Sequence, residues 1–269
     1  MLYRPAVLPL HATLTNTKLL LVFVLELLSP IITVTVIVSI FYTAGIIVGN
    51  TELIIFIGLF TVYPLMVVVH TILLGILVCT TYSILNEKST RSVIISRFSD
   101  RLMVLIKWGI LSCIVAPVVR LGLIIGQNQS DINDMGYVGR KAVFYGLQVI
   151  LLDEDEPPNS MEEWFTRSTS VFQSHFDQVS PETGISIWFR RVSLWAVAIG
   201  VLLFFVLHIT QYAPAAITTI GFFGLVIIFY LHIKHVAHTL LYHVEETEDT
   251  YRNPEDLLTK DVFKKTGLL

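Results

Sequence analysis

The sequence predicts an all-α fold: a polytopic transmembrane helix bundle of about six spans, with a cytoplasmic amphipathic helix between the fourth and fifth. Three observations predict it. Of the 269 residues, 54% are hydrophobic and only 14% are charged. Soluble domains usually carry about 25% charged residues, so much of this surface faces something other than water. The apolar residues are also gathered into runs near the roughly 20 residues that a helix needs to cross a bilayer. Lys and Arg are sorted to one side of the chain that those runs define.

The first run is 19–42, interrupted only by Glu26 and Pro30. Glu26, the lack of a small-residue cleavage site and the runs that follow speak against a cleavable signal peptide. The second run, 53–85, is long enough to tilt or to project from the membrane. The third is 102–126, the fifth 192–209 and the sixth 213–233, whose helix can continue into the polar tail. Run 135–152 is the ambiguous fourth, because Arg140 and Lys141 leave only 142–152 cleanly apolar. Charge arbitrates. With six crossings, 14 of the 18 Lys and Arg share one side with both termini. If the fourth run stops short, Lys234 and the tail lysines move outside. The expectation is a multi-pass plasma-membrane protein with both termini cytoplasmic. It has a transmembrane domain over 1–244 and an acidic tail over 245–269.

Segment 153–191 opens with four acids and two prolines, which stop a helix. Ser160 and Glu163 then match a capping box. Met161, Trp164, Phe165, Ser168, Phe172, Phe176 and Val179 follow at helical spacing. The spacing predicts an amphipathic helix over about 160–179. Its polar face carries little basic charge, so packing under the bundle suits it better than anionic lipid.

This order of elements resembles a family of uncharacterised six-span prokaryotic membrane proteins. The resemblance is carried by the basic connector Lys88 to Arg101 and the short run Val149-Ile150-Leu151-Leu152-Asp153-Glu154. Thr166-Arg167-Ser168, Leu240-Leu241-Tyr242 and the region of Pro254 complete it. The position where that family has a proline-containing apolar run has no proline here. The resemblance implies the six-span topology and no activity.

Ionisable groups within spans are costly and are functional candidates. Glu26 lies about seven residues, or roughly 10 Å, into the first span, and Lys107 lies at similar depth in the third. The two form a candidate intramembrane charge pair, read either as a proton or ion relay or as a structural contact. Arg120 reads as an interfacial anchor. His70 is a lone histidine in the second span, which is more often satisfied locally than functional. His232, His235, His238 and His243 form a late cluster, read either as metal ligands or as interfacial side chains. Gly45 with Gly49, and Gly122 with Gly126, are GxxxG pairs that permit close helix packing, within the bundle or in a homo-oligomer. Cys79 and Cys113 read as inert thiols in apolar runs.

Phosphate-binding loops, nucleophile elbows and HExxH motifs are absent, and a net charge of −3 gives no basis for nucleic-acid binding. No cofactor is expected. The partners expected are the lipid bilayer and a second copy or another membrane protein. Three functions remain open: a small permease, channel or transport accessory; a scaffold or regulator of a protein partner; and a metalloenzyme built on the late histidines.

Overall fold

A computed structural model describes residues 4–49, 51–125, 146–152 and 213–247, together with Glu163, Thr166 and Arg167. Among these residues the fold is entirely helical, with no strand. The expected span 192–209, the acidic end of the tail and most of the amphipathic helix 160–179 lie outside the described residues. Within that helix, Arg167 bonds Glu163 at 2.7 Å, an i,i+4 pair.

Helix α1 (Arg4–Thr15) was not anticipated, and its Pro9 is an interior helix breaker. It ends where Asn16 turns extended and caps α2, its side chain accepting from the Lys18 N–H at 3.1 Å. Helix α2 (Thr17–Val48) runs unbroken through Pro30. Proline has no N–H for the Glu26 carbonyl four residues back, and the Ser29 hydroxyl donates to that carbonyl instead, at 3.0 Å. The inward stripe of α2 includes Leu19, Val22, Glu26, Thr33 and Ile37, at spacings of three, four and seven residues that keep to one helix face. Its other faces are exposed and apolar, with Leu21 62% and Ile47 80% exposed.

Helix α3 (Thr51–Leu85) returns alongside α2. Its second half, 71–85, is buried on almost every side and forms the axis of the bundle. Glu87 takes a left-handed conformation (φ 52°). The Lys88 N–H then bonds the Ser83 carbonyl at 2.9 Å, closing α3 with a Schellman-type cap. The connector is helical: α4 (Thr90–Val93), then a π-helical turn (Ile94–Phe98) leading into α5 (Ser99–Ile125).

Helix α6 (Gly146–Leu152) is short and fully buried. Its last carbonyls are held from the connector side. Arg97 Nη1 donates to the Leu152 carbonyl at 2.6 Å, and Arg101 Nη1 to that of Ile150 at 2.7 Å. Cations at a helix C-terminus complement its dipole. Helix α7 (Ala213–Thr247) packs against α1, α2, α3 and α6. The core joins Leu19, Leu77, Leu105, Ile150 and Leu240, all fully buried, at the end of the bundle that carries the connector.

Two of these helices are long and apolar enough to cross a membrane: α2, and α3 over Thr61–Leu85. The GxxxG glycines divide. Gly45 is buried in α2, whereas Gly49 is the left-handed C-cap of that helix (φ 74°) with no atom near its Cβ position. It ends a helix, and among the described residues nothing packs against it. Gly122 lies within α5, and Gly126 is outside the described residues. Tight approaches occur elsewhere, at Gly58 against Phe41 and at Gly109 against the Val68 backbone.

Candidate functional site: a buried acid–imidazole cluster

Glu26 does not pair with Lys107. Lys107 is exposed on the outer face of α5, in line with exposed Met103 and Ile110, while Arg101, Leu105 and Trp108 turn inward. Equal depth placed the two residues at one level, but helix rotation sends them in opposite directions.

The partner of Glu26 is His232 of α7. Its Nδ1 lies 2.9 Å from Glu26 Oε2, with Glu26 0% and His232 1% exposed. The far ring nitrogen, Nε2, lies 3.1 Å from the Thr13 hydroxyl of α1. That hydroxyl donates to the Pro9 carbonyl at 2.9 Å. With that hydrogen on Pro9, the hydroxyl oxygen is placed to accept from a hydrogen on His232 Nε2. In that tautomer the contact between Glu26 Oε2 and His232 Nδ1 holds a single proton. Phe23 and Phe229 wall the pair: the Phe23 ring centroid is 4.9 Å from that of His232 and 5.8 Å from that of Phe229.

A second polar group adjoins the pair. Gln148 of α6 places its amide nitrogen 3.3 Å from His235 Nδ1 and 3.4 Å from the Thr239 hydroxyl. The Thr239 hydroxyl donates to the His235 carbonyl at 2.8 Å, so it accepts from the amide. His70 of α3 lies within electrostatic range of both His232 and His235. Its two ring nitrogens are buried and have no hydrogen-bond partner among the described residues, contrary to the expectation that this histidine is satisfied locally. Glu26 Oε1 and Gln148 Oε1 are likewise buried and unpartnered. Buried polar atoms are rarely left so, and such atoms are suited to water, a proton or a ligand.

The late histidines do not converge. His232 turns to α1 and α2, His235 to α6, and the His243 ring meets that of Tyr82 edge-on at 6.2 Å. The His238 ring lies 6.2 Å from that of His235. Among the described residues no three His, Cys, Asp or Glu side chains are grouped to hold a metal ion. Steps of 100° per residue point successive histidines at different neighbours, which defeats a common ligand set. Burial lowers the His243 imidazole from its ordinary value.

Sequence reasoning missed Thr13 and Gln148 and read His232 in another role. Prolines 5 and 9 hid the helix that carries Thr13. A glutamine inside the apolar stretch 142–152 was a usable signal for the second. No family model, no curated protein and no solved structure matches this chain.

Proposed function

We propose that the chain is a six-span plasma-membrane protein with cytoplasmic termini, and that its buried Glu26–His232 cluster is the proton-exchange site of a small permease or channel. One observation carries this reading. Beside a hydrogen-bonded acid–imidazole pair, four more polar atoms of Glu26, His70 and Gln148 sit in the interior without partners among the described residues. A purely structural pair has no need of them, since each costs free energy when buried dry. A carboxyl and an imidazole sharing one proton are suited to take up and release it, and intramembrane ionisable groups serve as relays in transporters. The exposed apolar faces of α2 support contact with lipid. The scaffold reading draws on segment 160–179, and nothing in the buried cluster favours it.

The test is water access. With Cys79 and Cys113 replaced, single cysteines are introduced along 22–33 of α2 in sealed vesicles. An impermeant thiol reagent is then applied from each side. The proposal expects reactivity with helical period on the Glu26 face, and inert positions throughout would leave a dry structural core and refute it.

A further inference from the structure

The N-terminal helix is joined to the buried pair in a way that makes it sensitive to the pair's proton. Helix α1 folds back at Asn16 and packs on α2 and α7. Its inward side carries Pro9, Ala12 and Thr13, all buried, with Leu8 and Leu10 half-buried. His11, Leu14 and Thr15 face outward. The contact from Thr13 Oγ1 to His232 Nε2 ties this side of α1 to the buried pair.

We propose that α1 is a lid over the proton site and that Thr13 is its latch, closed while the Glu26–His232 pair holds its proton and loosened when the proton leaves. This rests on the reading of the pair as a proton-exchange site. While the proton is held, His232 Nε2–H donates to Thr13, and Thr13 donates to Pro9. When the pair loses the proton, the carboxylate requires the remaining ring hydrogen at Nδ1, because two lone pairs would otherwise face each other across 2.9 Å. Nε2 then becomes an acceptor. The single Thr13 hydrogen cannot serve both Nε2 and the Pro9 carbonyl, so the pair loses one hydrogen bond to or within α1. The charge-assisted character that an imidazolium lends to the contact is lost as well.

Among the described residues, the groups facing the pair are few. Helix α1 offers only Thr13, with His11 on its exposed side, and α2 offers Glu26 itself. Helix α3 offers His70, α6 the uncharged Gln148, and α7 His235 beside His232, with the Lys234 charge acting on His235. His70 and His235 can shift the pH at which the latch responds, but neither touches Thr13 in the hydrogen-bond network.

The test is amide hydrogen exchange of the full-length protein in lipid nanodiscs across pH, corrected for the intrinsic pH dependence of exchange. The segment 8–15 is followed, with 74–82 of α3 as the fold control. In wild type, protection of 8–15 falls by roughly two- to tenfold as pH rises, the worth of about one net hydrogen bond. Thr13→Ser keeps that response. Thr13→Val lowers protection and abolishes the response, and Glu26→Gln abolishes it because an amide can donate to Nδ1 as well as accept from it, which leaves no carboxylate to force the ring hydrogen away from Nε2. A flat wild-type profile, or a Thr13→Val profile like wild type, overturns the latch. If Thr13→Val also loses protection over 74–82, Glu26→Gln decides, and a response persisting there overturns it. Proton flux into vesicles separates the two proposals. Flux with a flat α1 profile sinks the latch alone, and a titrating α1 without flux sinks the transport reading alone.

Discussion

Glu26 and His232 are 206 positions apart in sequence, and a hydrogen bond of 2.9 Å closes α7 onto α2 through them. Both side chains are buried, so removing one leaves the other in the interior without its hydrogen-bond partner. Glu26→Leu or His232→Leu alone is expected to cost about 3–5 kcal/mol, as removal of one member of a buried pair does. The double replacement is expected to cost less than the sum, with a coupling of about 0.5–3 kcal/mol. Unfolding in mixed detergent micelles reads all four corners of the cycle, and strict additivity would mean that the two do not interact.

Glycine substitutions separate close packing from backbone need. A Cβ at Gly109 would sit 3.1 Å from the Val68 Cα, which is backbone and cannot swing aside. Gly109→Ala is expected to destabilise by about 1–3 kcal/mol. Gly49→Ala meets no atom but forces φ 74° on an L-residue, for about 1–2 kcal/mol. Gly224→Ala meets no atom and has no such φ, so it is expected to stabilise the helix by about 0.5–1 kcal/mol. The same unfolding assay ranks the three, and a Gly109→Ala protein as stable as wild type would show that α3 and α5 are looser than described.

The end of α7 should respond to acid. His243 packs against Tyr82, and burial lowers its imidazole below the ordinary value. The folded state therefore favours the neutral ring. The stabilisation is present above the ordinary histidine value of about 6.5 and is lost as pH falls through the lower folded value. Acidification should loosen residues 239–247 before the core, as read by hydrogen exchange. His243→Phe should remove that part of the acid response, and an unchanged acid profile would count against the packing account.

The outward face of α2 gives a test of its surroundings. Ile31 is 62% exposed near the middle of the first apolar run. If that face meets lipid, Ile31→Lys should cost about 2.5–3.5 kcal/mol in a membrane-insertion assay. Leu14→Lys, on the outer side of α1, should stay within about 0.5 kcal/mol. Equal tolerance at both positions would mean that α2 is not embedded.

Much of the helical layout was legible because apolar runs and three- to four-residue spacing report helices directly. Glu26 stood out as the one acidic or basic residue in the first apolar run, and the structure places it on the packed face of α2. Its partner was not legible from depth alone. The alignment of Met103, Lys107 and Ile110 shows in hindsight that Lys107 shares a uniformly outward face. His232 was visible only as one of four late histidines, and spacing along one helix does not say which neighbour each ring meets. Thr13 was out of reach, because Pro5 and Pro9 argue against the helix that tertiary contacts with α2 and α7 sustain. The arginine cap on α6 was hidden as well, since a seven-residue helix leaves little periodic signal.

The most direct measurement is proton flux into vesicles containing the purified protein, with a trapped pH-sensitive dye and an imposed pH gradient. The account predicts flux above protein-free vesicles that Glu26→Gln and His232→Leu each abolish, while Lys107→Gln leaves it intact. Flux absent from wild type, or unchanged in Glu26→Gln, would contradict the assignment of the buried pair as a proton-exchange site.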